Sequence, residues 1–397
     1  MRRIGVYLFP HSFALIGKEE IMPRYTYQLP HSVIYSIGDT HARGREVIEF
    51  INKLEIHSYL RGEKSTAFVQ VGDLCDGFSL PNPCDIEILR AACRARIEEI
   101  PELKSVLFHE GNTFVDWDRD LGVRQIMDAN ALLSSDDLEV ITAVYQAFKC
   151  FETLLLYSRW QKMHEENFYV IFGNHDADLL RGRCAYGRKQ KYILLGLLGL
   201  SPNAVIAHMT EGKTRRVLRN TWLNWLYRRP HILMSGDTVY MHGGPTASLS
   251  EQLAGADKSG FDQWIHDMDV ARGRGMDHPA FTEHESFLSP DGEANDWVRH
   301  PERILDFLKA SGKNYLAVGH SPFLDFEKGI KLDLSDVSNH KYFSTPAQLP
   351  PEGRLIKHDT DLKRTGELWA CRHEVGSDIW TGIDAQLNEF PLRKGEG

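Results

Sequence analysis

Five short apolar runs rich in β-branched and aromatic residues recur along the chain: VIYSI (33–37), TAFVQV (66–71), FYVIF (168–172), TVYM (238–241) and YLAV (315–318). Runs of this kind, closed by glycine and polar residues, predict strands. Each is followed by a polar cluster: GDTH, GDLCDG, GNHD, HGG and GHS respectively. Between them the apolar spacing changes to three and four. Ile86, Leu89, Cys93, Ile97 and Ile100 predict one helix, and Ile141, Val144, Tyr145, Phe148 and Phe151 predict another behind an N-cap at Ser134 or Ser135. PERILDFLKASG (301–312) predicts a third, with Gly312 at its C-terminal cap. Strands alternating with helices predict an α/β fold, and in open α/β sheets ligands gather beyond the carboxyl ends of strands. Five strand ends carrying Asp, Asn and His therefore predict a single site.

The same pattern suggests a division of the chain. Residues 1–32 are expected as an N-terminal extension and 33–345 as the main domain. Within it, 81–166 is expected as a helical insertion beside the site, either a partner-docking element, a lid, or cover for the sheet. Residues 346–397, with LPPEG and many charges, are expected as an extension packed on the domain. The chain begins basic and then apolar (MRRIGVYLFPHSFALIG), but Pro10 and His11 interrupt the apolar stretch and a second Met stands at 22. Residues 1–21 are accordingly expected to be dispensable, as from an upstream start.

Composition narrows the field. Of 397 residues, 42% are hydrophobic and 25% charged, the balance of an ordinary soluble protein. A formal charge of −9 argues against a nucleic-acid partner. The longest apolar run, YILLGLLGL (192–200), is far below the roughly 20 residues a membrane helix needs. Six cysteines without a CxxC pair point to reduced thiols and a cytoplasmic location.

The polar clusters carry the chemistry. A two-metal hydrolase holds its ions about 3.5–4 Å apart, with one carboxylate bridging and oxygen and imidazole donors completing both shells. Asp39 and His41 stand on one strand end, Asp73 on the next, Asn174 and His242 on two more and His320 on the last. That set comprises one bridging carboxylate and five terminal ligands. Adjacent glycines (38, 72, 173, 243, 244 and 319) suit tight turns and close backbone approach.

The ordered series GDTH … GDLCDG … GNHD … HGG … GH resembles the calcineurin-like metallophosphoesterase superfamily, and within it the phosphoprotein phosphatases and symmetrical diadenosine tetraphosphatases. The resemblance implies a two-sheet α/β sandwich flanked by helices, with two divalent metal ions, manganese foremost and iron or zinc as alternatives. It places Asp39 and His41 on the first ion, Asp73 between the ions, and Asn174, His242 and His320 on the second. A metal-bridging hydroxide would be the nucleophile and His175 the general acid, with Asp76 orienting it. An imidazole near neutrality suits that role, since a carboxylate partner fixes its tautomer. NDWVRHPERILDFL, followed by YLAVGHSP, is similar to bacterial phosphoprotein phosphatases and makes Arg299 a phosphate-binding residue.

Two departures bear on the substrate. Pro322 stands where many relatives have a further histidine, and Gly77 replaces the arginine of GDxxDRG. Arg43, Arg45, Arg181 and Arg183 are candidates to supply the missing phosphate contact. The expected activity is hydrolysis of phosphomonoesters, on phosphoproteins or small phosphorylated molecules. LNWLYRRPHILMSGDTVYMHGG (223–244) resembles diadenosine tetraphosphatases and supports the alternative, a dinucleoside polyphosphate hydrolase. A non-catalytic scaffold on the same fold is the third reading, disfavoured because no ligand is missing.

Overall fold

In the computed structural model, the described residues are 25–75, 85–118, 123–182, 188–211, 218–275, 281, 288, 302–320, 324–325, 330–331, 346–349, 354–358 and 367–392. Two six-stranded mixed sheets organise them. One has the strand order β16-β15-β14-β2-β3-β6, the other β1-β7-β8-β9-β13-β12. In the first sheet β2 (Val33–Ile37), β3 (Thr66–Gln70) and β6 (Phe168–Val170) are parallel, and β14 (Trp369–Glu374) runs antiparallel beside β2. In the second, β8 (Thr238–Met241), β9 (Tyr315–Val318) and β13 (Leu355–Lys357) are parallel.

The period of two along each strand divides its side chains between two cores. Ile34, Ala67, Val69, Tyr240, Ala317, Ile356 and Cys371 fill the space between the sheets. Their neighbours Val33, Tyr35, Ile37, Phe68, Val239, Met241, Leu316, Val318 and Leu355 face the helices. A strand buried on both faces must be apolar throughout, which is why the site-bearing runs were recognisable.

The helices lie outside the sheets. α1 (Gly44–Leu60) buries Val47, Phe50, Ile51 and Leu54 at helical spacing. α2 (Ile86–Glu99) turns Leu89, Cys93 and Ile97 inward. α3 (Pro101–Leu107), α4 (Ala129–Leu133) and α5 (Leu138–Met163) follow. α5 is buried on nearly all sides, from Val140 to Tyr157, as a helix central to a large domain must be. Its N-cap differs from expectation: Asp137 accepts the N–H of Glu139, while Ser134 closes α4 and Ser135 accepts the Asp137 N–H. Gly312 follows the helix Glu302–Ser311 at φ 66°, the left-handed terminator its sequence predicted.

Short elements fill out the plan. The span 81–166 contains a hairpin, β4 (Phe114–Asp118) with β5 (Val123–Met127), besides helices. β1 (Thr26–Gln28) pairs in parallel with β7 (Ile232–Met234). The stretch after 346 supplies β12 (Ala347–Leu349) and β13 to one sheet and β14, β15 (Trp380–Asp384) and β16 (Glu389–Pro391) to the other. Residues 1–21 lie outside the described residues. Among those described, no helix is long and apolar enough to cross a membrane.

Candidate metal centre

Every motif residue sits just past a strand. β2 runs into Gly38–Asp39–Thr40–His41, β3 into Gly72–Asp73, and β6 into Gly173 and the first turn of α6 (Asn174–Arg181). β8 runs into His242 and β9 into Gly319–His320. The turns from both sheets meet at one edge, and meeting there demands unusual backbone. His41, Asp73 and His320 adopt φ 44°, 50° and 31°, a region that costs a non-glycine residue on the order of 1–3 kcal/mol and clusters at functional sites. Glycine makes room where the loops touch. A Cβ on Gly173 would stand 2.2 Å from Asp73 Oδ1, and one on Gly72 would stand 2.2 Å from His242 Nδ1.

Asp73 is buried at the centre. Its Oδ1 is 3.3 Å from His242 Nε2 and accepts the His175 backbone N–H at 3.0 Å, and its Oδ2 is 3.7 Å from His175 Nε2. Two groups of ligand atoms form around it, His41/Asp73/His175 and Asp73/His242/His320, each with all atoms within 4.8 Å of one another. Asp73 is shared by both, as a bridging carboxylate must be. Asp39 closes the other side: Oδ2 is 3.8 Å from His41 Nε2, Oδ1 is 3.4 Å from His242 Nδ1, and both oxygens receive the His320 N–H at 3.2 and 3.3 Å.

The carboxamide of Asn174 tests whether cations fit. One terminal atom lies 2.8 Å from His242 Nε2, 3.1 Å from His320 Nδ1, and 3.2 and 3.3 Å from the two Asp73 oxygens. With the amide oxygen there, lone pairs converge from four side chains, an arrangement that calls for a cation. With the amide nitrogen there, N–H donors take the cation's place. Oxygen and imidazole donors in this number suit divalent ions. His242 Nδ1 lies 2.9 Å from the Val71 carbonyl, which it meets as an N–H donor, leaving Nε2 to face the centre.

The charges are interdependent. Burial would push the Asp73 carboxyl up, but His242, His175 and His41 hold it well below the usual carboxylate range. Burial disfavours a charged His242, yet Asp73 and Asp39 raise it well above an ordinary imidazole. An ion entering here therefore displaces a proton.

All six candidate ligands and His175 are brought together. The His175 ring is partly exposed and 5.5 Å from that of His41, within reach of a ligand arriving from solvent. Asp76, Gly77, Arg183, Arg299 and Pro322 lie outside the described residues. Arg45 is engaged with Glu152 and Glu99 at 2.7 and 3.0 Å, and Arg181 with the Phe281 carbonyl at 2.5 Å.

Two supporting residues escaped sequence reasoning. Asp176, fully buried, accepts the N–H groups of Leu74 and Cys75 on one oxygen at 3.1 and 3.4 Å and that of Gly173 on the other at 3.0 Å. It thereby joins the Asp73 loop to the Asn174 loop, and burial beside Asp73 raises its own pKa. Gln70 ends β3 inside the core, where its carboxamide reaches the backbone of both Gly38 and Gly72. A glutamine closing an otherwise apolar strand, TAFVQ, was the available signal.

Fold and centre together define a metal-dependent phosphoester hydrolase. The calcineurin-like phosphoesterase family model matches residues 139–323 of the chain. The model begins inside α5, so it is the structure that adds the Asp39–His41 and Asp73 turns to the matched segment. No curated protein matches the sequence. Among solved structures, a cold-active protein-tyrosine phosphatase of a psychrophilic Shewanella aligns over 94% of this chain and 83% of its own, at 11% identity and TM-score 0.44. A protein serine/threonine phosphatase from Saccharomyces cerevisiae aligns over 94% of this chain and 85% of its own, at 12% identity and TM-score 0.41.

Proposed function

We propose that the protein hydrolyses phosphate monoesters, on phosphoproteins or small phosphorylated molecules, with two divalent ions (manganese foremost) at the Asp73 centre. The observation that carries this reading is the membership of Asp73 in both ligand groups, one of which includes the partly exposed His175. Two bound ions would neutralise charge on the phosphoryl group and activate water. Asp73 would hold both ions, with Asp39 and His41 on one side and Asn174, His242 and His320 on the other. His175 would give its proton to the departing oxygen, oriented by Asp76, and Arg299 would hold a phosphate oxygen.

The test has two parts. Asp73→Asn is expected to abolish manganese-dependent turnover. His175→Ala is expected to bind two manganese ions and lose about 10²–10⁴ in kcat. Near-normal kcat in either variant overturns the assignment. For the substrate, manganese-loaded protein is given a phosphopeptide pool together with diadenosine tetraphosphate, and products are read by mass spectrometry against a metal-free control. Loss of phosphopeptide with release of phosphate is the expected result. Two ADP per dinucleotide with the peptides untouched replaces it with the dinucleotide hydrolase suggested by 223–244.

A further inference from the structure

Behind the candidate ligands lies a chain of three fully buried polar side chains from three separate elements. Gln70 comes from β3, Thr40 from the turn between Asp39 and His41, and Tyr157 from α5; all three are at 0% exposure. Tyr157 Oη is 2.9 Å from Thr40 Oγ1, and Thr40 Oγ1 accepts from Gln70 Nε2 at 2.8 Å. The same Nε2 donates to the carbonyls of Gly38, at 3.3 Å, and Gly72, and the Gly72 N–H returns a bond to Gln70 Oε1 at 3.2 Å. One helical turn before Tyr157, Thr153 Oγ1 accepts the N–H of Gly44 at 3.0 Å. α5 thus grips the turn 38–44 at two points, and Gln70 ties that turn to Gly72, the residue before Asp73.

Packing alone does not require this hydroxyl. The Tyr157 ring lies edge-on to Phe168 at 5.8 Å, a place phenylalanine would fill as well. Burial holds the phenol far above its ordinary pKa, so it stays a neutral hydrogen-bonding group. The turn it serves holds His41 and Ala42 at φ 44° and 62°. Backbone of that kind persists only where surrounding structure over-determines it.

We propose that Tyr157, acting through Thr40, is a positioning residue for Asp39 and His41, so that α5 sets the affinity of the ion those two residues hold. This rests on the proposed function, in which the centre binds two ions. The effect is one-sided. Removing the hydroxyl loses one of the two holds of α5 on the turn 38–44 but leaves the bonds between Gln70 and Gly72 in place.

The experiment is manganese titration of Tyr157→Phe by equilibrium dialysis with electron paramagnetic resonance, resolving the two affinities. One affinity is expected to weaken about tenfold or more, the range for residues that orient metal ligands. The other should stay within about twofold, and saturating manganese should restore kcat. Thr153→Val, which removes the bond to Gly44 N–H, is expected to give the same one-sided loss by a second route. Tyr35→Phe is the control, since that buried hydroxyl donates to Glu63 at 2.9 Å, away from the centre; both of its manganese affinities should be unchanged. Unchanged affinities in Tyr157→Phe, or equal weakening of both, overturn the proposal while leaving the proposed function intact. A wild-type protein that binds no manganese overturns both.

Discussion

A single methyl group probes how tightly the centre is assembled. At Gly173 an added Cβ would come within 2.2 Å of Asp73 Oδ1 and 2.3 Å of its backbone nitrogen. Neither is the end of a flexible chain, so the turn must shift. Gly173→Ala is expected to keep the fold at a cost of about 1–3 kcal/mol. It should also lose manganese binding, measured as metal per protein after dialysis. The candidate ligands were legible in sequence because metal chemistry accepts few residue types and their turns need adjacent glycine. Gln70 and Tyr157 were not. Each looks like an ordinary member of its element, and their link runs through Thr40, 117 positions from Tyr157.

At the scale of elements, legibility followed period and burial. β2, β8 and β9 begin and end where their apolar runs do, since parallel central strands are apolar on both faces. The hairpin of FVDWD with VRQIM carries charge within its strands and gave no such signal. For α5 the apolar stripe identified the helix but not its first residue, because Ser134, Ser135 and Asp137 are all good capping types. The 26-residue α5 starts after Asp137, whose carboxylate accepts from Glu139 N–H at 2.8 Å. Asp137→Ala is expected to cost about 1 kcal/mol in urea unfolding. Its manganese affinities should be unchanged, because Thr153 and Tyr157 lie several turns further along the helix.

The whole molecule is held across its two sheets by a core that is not purely apolar, and this sets its response to acid. Strands after residue 346 join both sheets, but they carry no glycine–aspartate or glycine–histidine turn like those of the site. Their place in the core follows only from pairing with β2 and β9. At the end of β13, buried His358 meets Ser36 of β2 through Nε2 and so bridges the sheets. Burial pushes its imidazole down to about 4, against the pull of the Ile356 carbonyl. His208, His231 and His373 are depressed by burial as well. An unfolded histidine takes up its proton near pH 6.5, whereas folded His358 resists protonation until about 4. The unfolded state therefore binds more protons in that window. Stability is full above about pH 6.5 and declines as pH falls toward 4, with His358 alone accounting for about 2 kcal/mol by pH 5. Urea unfolding of metal-free protein from pH 7.5 to 5 should show that decline. His358→Gln, which cannot titrate, should be less stable at pH 7.5 yet lose about 2 kcal/mol less over the same interval. Equal slopes in the two proteins would mean that His358 is protonated in the folded state well above pH 4, and that the bridge between the sheets carries a charge.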